Sequence, residues 1–133
     1  MRRRTFLSLA AAAPVGLWGQ NTVLAEAKRR VRLGTVTAHV QGIDTDGAHM
    51  WVTAVDRPGA KGFLYRFSLP DGALEQVVEV QDGERYHPGG LQLAGGSVWL
   101  PAAEYRRTSS AVIQRRNPKT LAAEFQFPVA DHI

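Results

Sequence analysis

Three of the four histidines recur at a near-constant interval: His39, His87 forty-eight residues later, and His132 forty-five after that. The first two each open an eighteen-residue stretch that closes on a carboxylate, HVQGIDTDGAHMWVTAVD from His39 to Asp56 and HPGGLQLAGGSVWLPAAE from His87 to Glu104. Imidazole is a good ligand for zinc, manganese, iron or copper and titrates near neutral pH. Repeated imidazoles beside carboxylates are therefore a candidate site for a divalent transition metal, with His39, His87 and His132 as ligands. Gln41, Arg85, Tyr86 and Tyr105 would border the same rim and, with Asp56 and Glu104, could contact a ligand. A purely structural use competes with this: a histidine at the start of each repeat can clasp the first strand to a loop of the neighbouring unit by a hydrogen bond. Other chemistries lack their residues. No Ser/His/Asp or Gly-x-Ser-x-Gly pattern is present, and Gly89-Gly90 does not make a phosphate-binding loop.

The elements that must position these residues are themselves duplicated. Gly42 aligns with Gly90, Gly47 with Gly95, Trp51 with Trp99 and Ala54 with Ala102, in addition to the histidine pair. Five identities in eighteen columns exceeds the roughly one expected from average residue usage. Each copy reads as four β segments divided by turn chemistry. In the first these are Val40 to Thr45, His49 to Val55, Phe63 to Leu69 and Leu74 to Val80, separated by Asp46-Gly47, Arg57-Pro58-Gly59-Ala60-Lys61-Gly62 and Pro70-Asp71-Gly72. In the second they are Leu91 to Leu93, Val98 to Ala103, Ala111 to Arg115 and Leu121 to Phe127. Pro101 falls inside a strand, where it forfeits a ladder hydrogen bond, so the strand is expected to be bulged there or bound at its free side. Trp51, Trp99, Phe63, Phe67, Phe125 and Phe127 are expected in the core, and His49 is expected at the opposite edge.

Four antiparallel strands per unit of this length, with a tryptophan on the second, resemble a β-propeller blade. The likeness runs from about Thr37 to the C-terminus. Trp-Val on the second strand and Tyr-Arg-Phe-Ser-Leu-Pro-Asp-Gly on the third resemble exported bacterial propellers of six or seven blades, a group that includes members of no assigned activity. The Trp-Asp and Gly-His pairs of the WD40 class are missing. The expected fold is all-β, with two β-propeller-type four-stranded blades that form a fragment of a six- or seven-bladed ring. On this reading residues 38–84 are the first blade, 85–128 the second, 129–133 the start of a third, and 28–37 a leading strand that closes the ring. A short chain that builds the ring from blades of several subunits is a further reading. Histidines lining a channel also resemble propeller lyases that hold a divalent metal. That resemblance implies a metal-dependent lyase or hydrolase acting on a small carboxylate or sugar; only the placement of His39, His87 and His132 carries over.

The N-terminus bears on cellular address. Arg3-Arg4-Thr5-Phe6-Leu7 resembles the twin-arginine signal, and the apolar run behind it is cut short by Pro14 and Gly16, too soon to span a bilayer. Residues 1–27 are expected to be removed, with cleavage after Ala25 or Ala27, leaving no stable membrane span. The twin-arginine export machinery is then a partner, and the periplasm or extracellular space the destination. An ordinary secretory signal is the other reading.

The 133 residues hold 16 Lys and Arg against 12 Asp and Glu. From Lys28 onward the balance is 13 against 11, a net charge of only +2. Nucleic-acid binding therefore has no electrostatic support. Lys28-Arg29-Arg30, Arg106-Arg107 and Arg115-Arg116 read as solvated faces or loop tips. Without cysteine, c-type haem attachment and cysteine-held iron–sulfur clusters are excluded, and the core alone must hold the fold. The leading expectation is an exported binding or scaffold propeller with a small-molecule or sugar ligand at the channel mouth, no cofactor being certain.

Overall fold

The computed structural model describes residues 25–129. The twin-arginine segment, and His132 with nearly all of the third-repeat start, lie outside the described residues.

Among the described residues nine strands form, all antiparallel, and there is no helix. The first sheet holds β1 (His39–Thr45), β2 (His49–Asp56), β3 (Lys61–Ser68) and β4 (Leu74–Glu79) in spatial order β1-β2-β3-β4. The second holds β5 (His87–Pro88), β6 (Gln92–Ala94), β7 (Ser97–Ala103), β8 (Ala111–Arg116) and β9 (Ala123–Val129), with β5 and β6 both pairing β7. The turn chemistry explains the hairpins. Gly95 and Gly96 both take positive φ, 56° and 74°, the left-handed pair that a tight hairpin turn between β6 and β7 requires.

The inner strand of each sheet is interrupted at the same place. In β1 the register shifts between Val40 and Gly42, leaving Gln41 as the extra residue of a bulge. In the second sheet the shift becomes a break between β5 and β6, opposite Pro101. The Gly89 N–H donates to the Pro101 carbonyl at 3.1 Å, so the edge of β7 that lacks a proline N–H faces the gap. Strand β7 keeps its register against β8 through Pro101, so the bulge expected in it does not form; the partner strand is split instead.

The two sheets stack in one direction, like successive units of an array. Along β2, Trp51, Thr53 and Val55 point toward the second sheet, while Val52 and Ala54 point away. Trp51, Leu64 and Val80 pack with Val98, Leu100 and Leu121 in one cluster between the sheets. Val52, Ala54, Tyr65 and Phe67 form another on the far face of the first sheet. The Trp51 face thus meets the Leu100 face, which by the repeat corresponds to the Val52 face. A two-fold sandwich would instead pair like with like; head-to-tail stacking is how propeller-type blades follow one another. Polar ties reinforce the junction: the Trp51 indole N–H donates to the Pro118 carbonyl at 3.2 Å, the Thr53 hydroxyl to the Gly89 carbonyl at 2.7 Å, and the Gln114 amide to the Val80 carbonyl at 2.9 Å.

Three expectations need correcting. Residues 28–37 form no strand. A lone segment has no ladder to join, and it is instead tied by the Gly34 N–H to the Gly72 carbonyl at 2.7 Å and by Arg29 to the Pro70 carbonyl, with Leu33 packed on the Val52 cluster. Phe125 and Phe127 are not core: they are 50% and 41% exposed, because the outward face of the second sheet has nothing stacked on it among the described residues. Arg116 is not a solvated basic residue. It is buried and donates to Gln114 Oε1 at 2.7 Å and to the Leu121 carbonyl at 2.8 Å, and desolvation lowers its pKa.

Candidate functional site

Antiparallel pairing brings the start of each inner strand level with the end of the next strand. His39 pairs with Val55, so Asp56 lies beside it; His87 pairs with Ala103, so Glu104 and Tyr105 follow directly. The two ends meet at one edge of the stacked sheets. The Gln41 bulge sends its side chain across the junction, and Gln41 Oε1 lies 3.2 Å from His87 Nε2. An amide oxygen can only accept, so His87 Nε2 donates and Nδ1 retains its lone pair. This contact ties the inner strands of adjacent sheets at the second copy, strand to strand and not strand to loop.

Around His87 the side chains form an aromatic and cationic rim. The Tyr105 ring lies 4.7 Å from the His87 ring and 6.2 Å from Tyr86, nearly parallel to the latter at 12°. Arg57 places its guanidinium 4.0 Å over Tyr105, a cation–π contact. Tyr105 is 40% exposed and separates two open clefts of about 370 and 390 Å³. Ala60, Glu84, Tyr86 and Arg106 line the first, and His87, Arg106 and Arg107 the second, with Glu104 reaching both. Burial, then the charge of Arg57, then His39, all push the His87 pKa down, which favours the neutral ring.

The carboxylates of the sequence pattern are engaged locally. Asp56 accepts from the Gly59 N–H at 3.3 Å and caps its own turn. Glu104 accepts from the Ser110 N–H at 2.8 Å and from two nitrogens of Arg106 at 2.9 and 2.7 Å; the Ser110 bond leads in holding its pKa below the usual range. Arg85 donates to the Ser110 hydroxyl at 2.9 Å and to Asp82 at 3.0 Å, so it braces the loop under Glu104. His49 stands at the far end of the sheet beside Asp46 and Glu75. Arg57 and Ser110 are the rim residues that the sequence pattern passed over. Arg57 was legible in principle, as the residue directly after Asp56 in the hairpin loop.

Three His, Asp or Glu side chains do not come together anywhere among the described residues in a way that could hold a metal ion. His39 and His87 supply at most two nitrogens, and one His87 nitrogen is taken by Gln41. Protein-held zinc sites use three or four protein ligands. The described donor set does not fit a transition metal, and His132 lies outside it.

Residues 69–133 match a family of unknown function, DUF6454. That stretch takes in the last turn and outer strand of the first sheet and all of the second, so Tyr86, His87 and Tyr105 fall within it while Gln41 and Arg57 do not. No curated protein and no solved structure matches the chain. Among the described residues no helix is long and apolar enough to cross a membrane.

Proposed function

We propose that the chain is a binding or scaffold module of an exported β-propeller, part of a six- or seven-bladed ring, that takes a small molecule or sugar at the rim formed by Gln41, Arg57, Tyr86, His87 and Tyr105. The observation that carries this reading is the Tyr105 ring, half-exposed between two clefts and flanked by a cation and a neutral imidazole. An aromatic face stacks on sugar or planar rings, while Arg57, Arg106 and Arg107 would attract a carboxylate. Side chains held by a sheet-to-sheet clasp are prepositioned, which lowers the ordering cost of binding. The run Arg3-Arg4-Thr5-Phe6-Leu7 supports export in the folded state through the twin-arginine route to the periplasm as part of this reading.

The test is an NMR titration of the chain with a panel of mono- and disaccharides and small carboxylates. Binding should shift resonances of Tyr86, His87 and Tyr105, disappear in Tyr105→Ala, weaken in Arg57→Ala, and persist in His49→Ala at the far edge. No shift at millimolar ligand, or shifts untouched by Tyr105→Ala, would refute the rim as the site. For export, residues 1–27 fused to a folded reporter should deliver it to the periplasm, and Arg3→Lys with Arg4→Lys should retain it in the cytoplasm.

A further inference from the structure

Three aspartates of the chain stand directly before a glycine: Asp46-Gly47, Asp71-Gly72 and Asp82-Gly83. Such pairs share one intrinsic chemistry, because a glycine nitrogen, unhindered by a Cβ, can attack the aspartate Cγ and close a five-membered imide. The fold treats the three nitrogens differently. The Gly47 N–H donates to the Thr45 hydroxyl at 3.0 Å and the Gly72 N–H to the Ser68 carbonyl at 2.8 Å. The Gly83 N–H has no hydrogen-bond partner among the described residues. The carboxyls divide in the same way. Asp46 Oδ1 accepts the Ala48 and His49 N–H groups at 2.8 and 2.7 Å, and Asp71 Oδ1 accepts the Ala73 N–H at 3.1 Å. Hydrogen bonds, the His49 N–H leading at Asp46 and the Ser68 hydroxyl at Asp71, hold both groups below the ordinary carboxylate range, away from the acid form that closes most readily. Asp82 accepts from Arg85 Nη1 at 3.0 Å on Oδ2, and its Oδ1 has no partner among the described residues. Space matters as well. A Cβ on Gly72 would collide with the Arg32 carbonyl, whereas one on the exposed Gly83 would meet nothing within 4 Å. Gly47 is as open as Gly83, so at Asp46 the protection comes from hydrogen bonds alone.

We infer that the Asp82-Gly83 turn is a covalent modification site, where the backbone isomerises to isoaspartate with water as the only reactant, while the folded chain protects Asp46-Gly47 and Asp71-Gly72. In the first step the Gly83 nitrogen bonds to Asp82 Cγ, and the carboxyl hydroxyl leaves with the amide proton as water. Water then adds to one carbonyl of the imide, and the C–N bond at that carbonyl breaks. Attack at Cγ restores aspartate. Attack at the α-carbonyl leaves the peptide running through Cβ and Cγ, with a free α-carboxylate and no net change in composition. The product cannot keep the intact turn, in which the Asp82 N–H donates to the Arg85 carbonyl at 3.2 Å and the Arg85 N–H to the Asp82 carbonyl at 3.1 Å. The carbonyl that accepts the second bond becomes a carboxylate off the main chain. Arg85 also donates to the Ser110 hydroxyl at 2.9 Å, and the Ser110 N–H holds Glu104 at 2.8 Å, so the extra methylene shifts a support of the Glu104-Tyr105 corner. The inference rests on the turn itself and is independent of the ligand proposed at the rim.

The test ages the purified chain at neutral pH for several weeks. Isoaspartate is counted by transfer of a labelled methyl group with an isoaspartate-specific methyltransferase, and it is located by mass spectrometry of the peptides. A hydrogen bond that must break before closure slows the reaction by about tenfold, so isoaspartate at Asp82 should exceed that at Asp46 and at Asp71 by about that factor. In concentrated guanidinium the three sites should react alike. Asp82→Glu should remove the signal from the folded chain, since glutamate would have to close a six-membered ring. Separated by ion exchange, the isomerised form should show shifted amide resonances for Ser110 and Glu104. Equal rates at the three sites of the folded chain, a lead for Asp46 or Asp71, or a silent Asp82 where the unfolded chain reacts would each overturn the inference. Unmoved Ser110 and Glu104 resonances would overturn the link to the Glu104-Tyr105 corner.

Discussion

Gly42→Ala and Gly90→Ala make the same chemical change at repeat-equivalent positions and should have opposite effects on stability. At Gly42 the new methyl would lie 2.6 Å from the Gly90 Cα and 2.8 Å from the Leu91 nitrogen. Carbon contacts settle near 3.5–4.0 Å, so the inner strands must part by about 1 Å. Both obstructing atoms are backbone, and no rotamer change relieves them. Separation also stretches the Leu93 N–H bond to Asp44, now 2.7 Å, and the His87 contact to Gln41. Overpacking of this kind costs about 1–3 kcal/mol, and the stiffer unfolded chain returns about 0.4–1 kcal/mol. The net loss of about 1–2 kcal/mol corresponds to a fall in Tm of roughly 4–16 °C for a domain near this size. Gly90→Ala meets no atom and keeps only the unfolded-state gain, so its Tm should rise by a few degrees. Both are read by circular dichroism melts at a concentration where the chain is monomeric. Equal shifts for the two variants, or a destabilised Gly90→Ala monomer, would refute head-to-tail stacking of the sheets.

Trp51→Phe keeps most of the apolar contact but loses the indole bond to Pro118; a loss of about 1 kcal/mol in urea unfolding is expected. Gln114→Leu should cost more, about 3 kcal/mol or above by the same assay, because it strips Arg116 of a partner in the interior and leaves the Val80 carbonyl unsatisfied. The folded-state pKa of His87 lies below the unfolded value, so the unfolded chain binds the proton more readily. The resulting stability is present above about pH 6.5 and drains away as pH falls toward the folded value. The urea midpoint of the native chain should drop between pH 7 and pH 5, and His87→Gln should flatten that slope; an unchanged slope would place the titration elsewhere.

The duplicated pattern settled a good deal without coordinates. Turn residues such as Asp46-Gly47 and Gly95-Gly96 mark hairpins because few other residues accept positive φ, and these local rules produced the antiparallel order and brought His39 and His87 to one edge. The nearly continuous apolar run Met50 to Val55, broken by Thr53 alone, announced a strand covered on both sides. Other features depend on what lies across space, and there local sequence is silent. Phe125 looks like a core residue by its type, yet burial needs a partner sheet and none is stacked on it among the described residues. Arg116 looks like a surface residue, yet Gln114 and the Leu121 carbonyl satisfy it indoors. The rim shows the same division. Its histidine, tyrosines and glutamine could be picked out by position, but the contact of Arg57 with Tyr105 joins the loop of one sheet to the strand end of another, and only stacking the sheets in a fixed direction creates it.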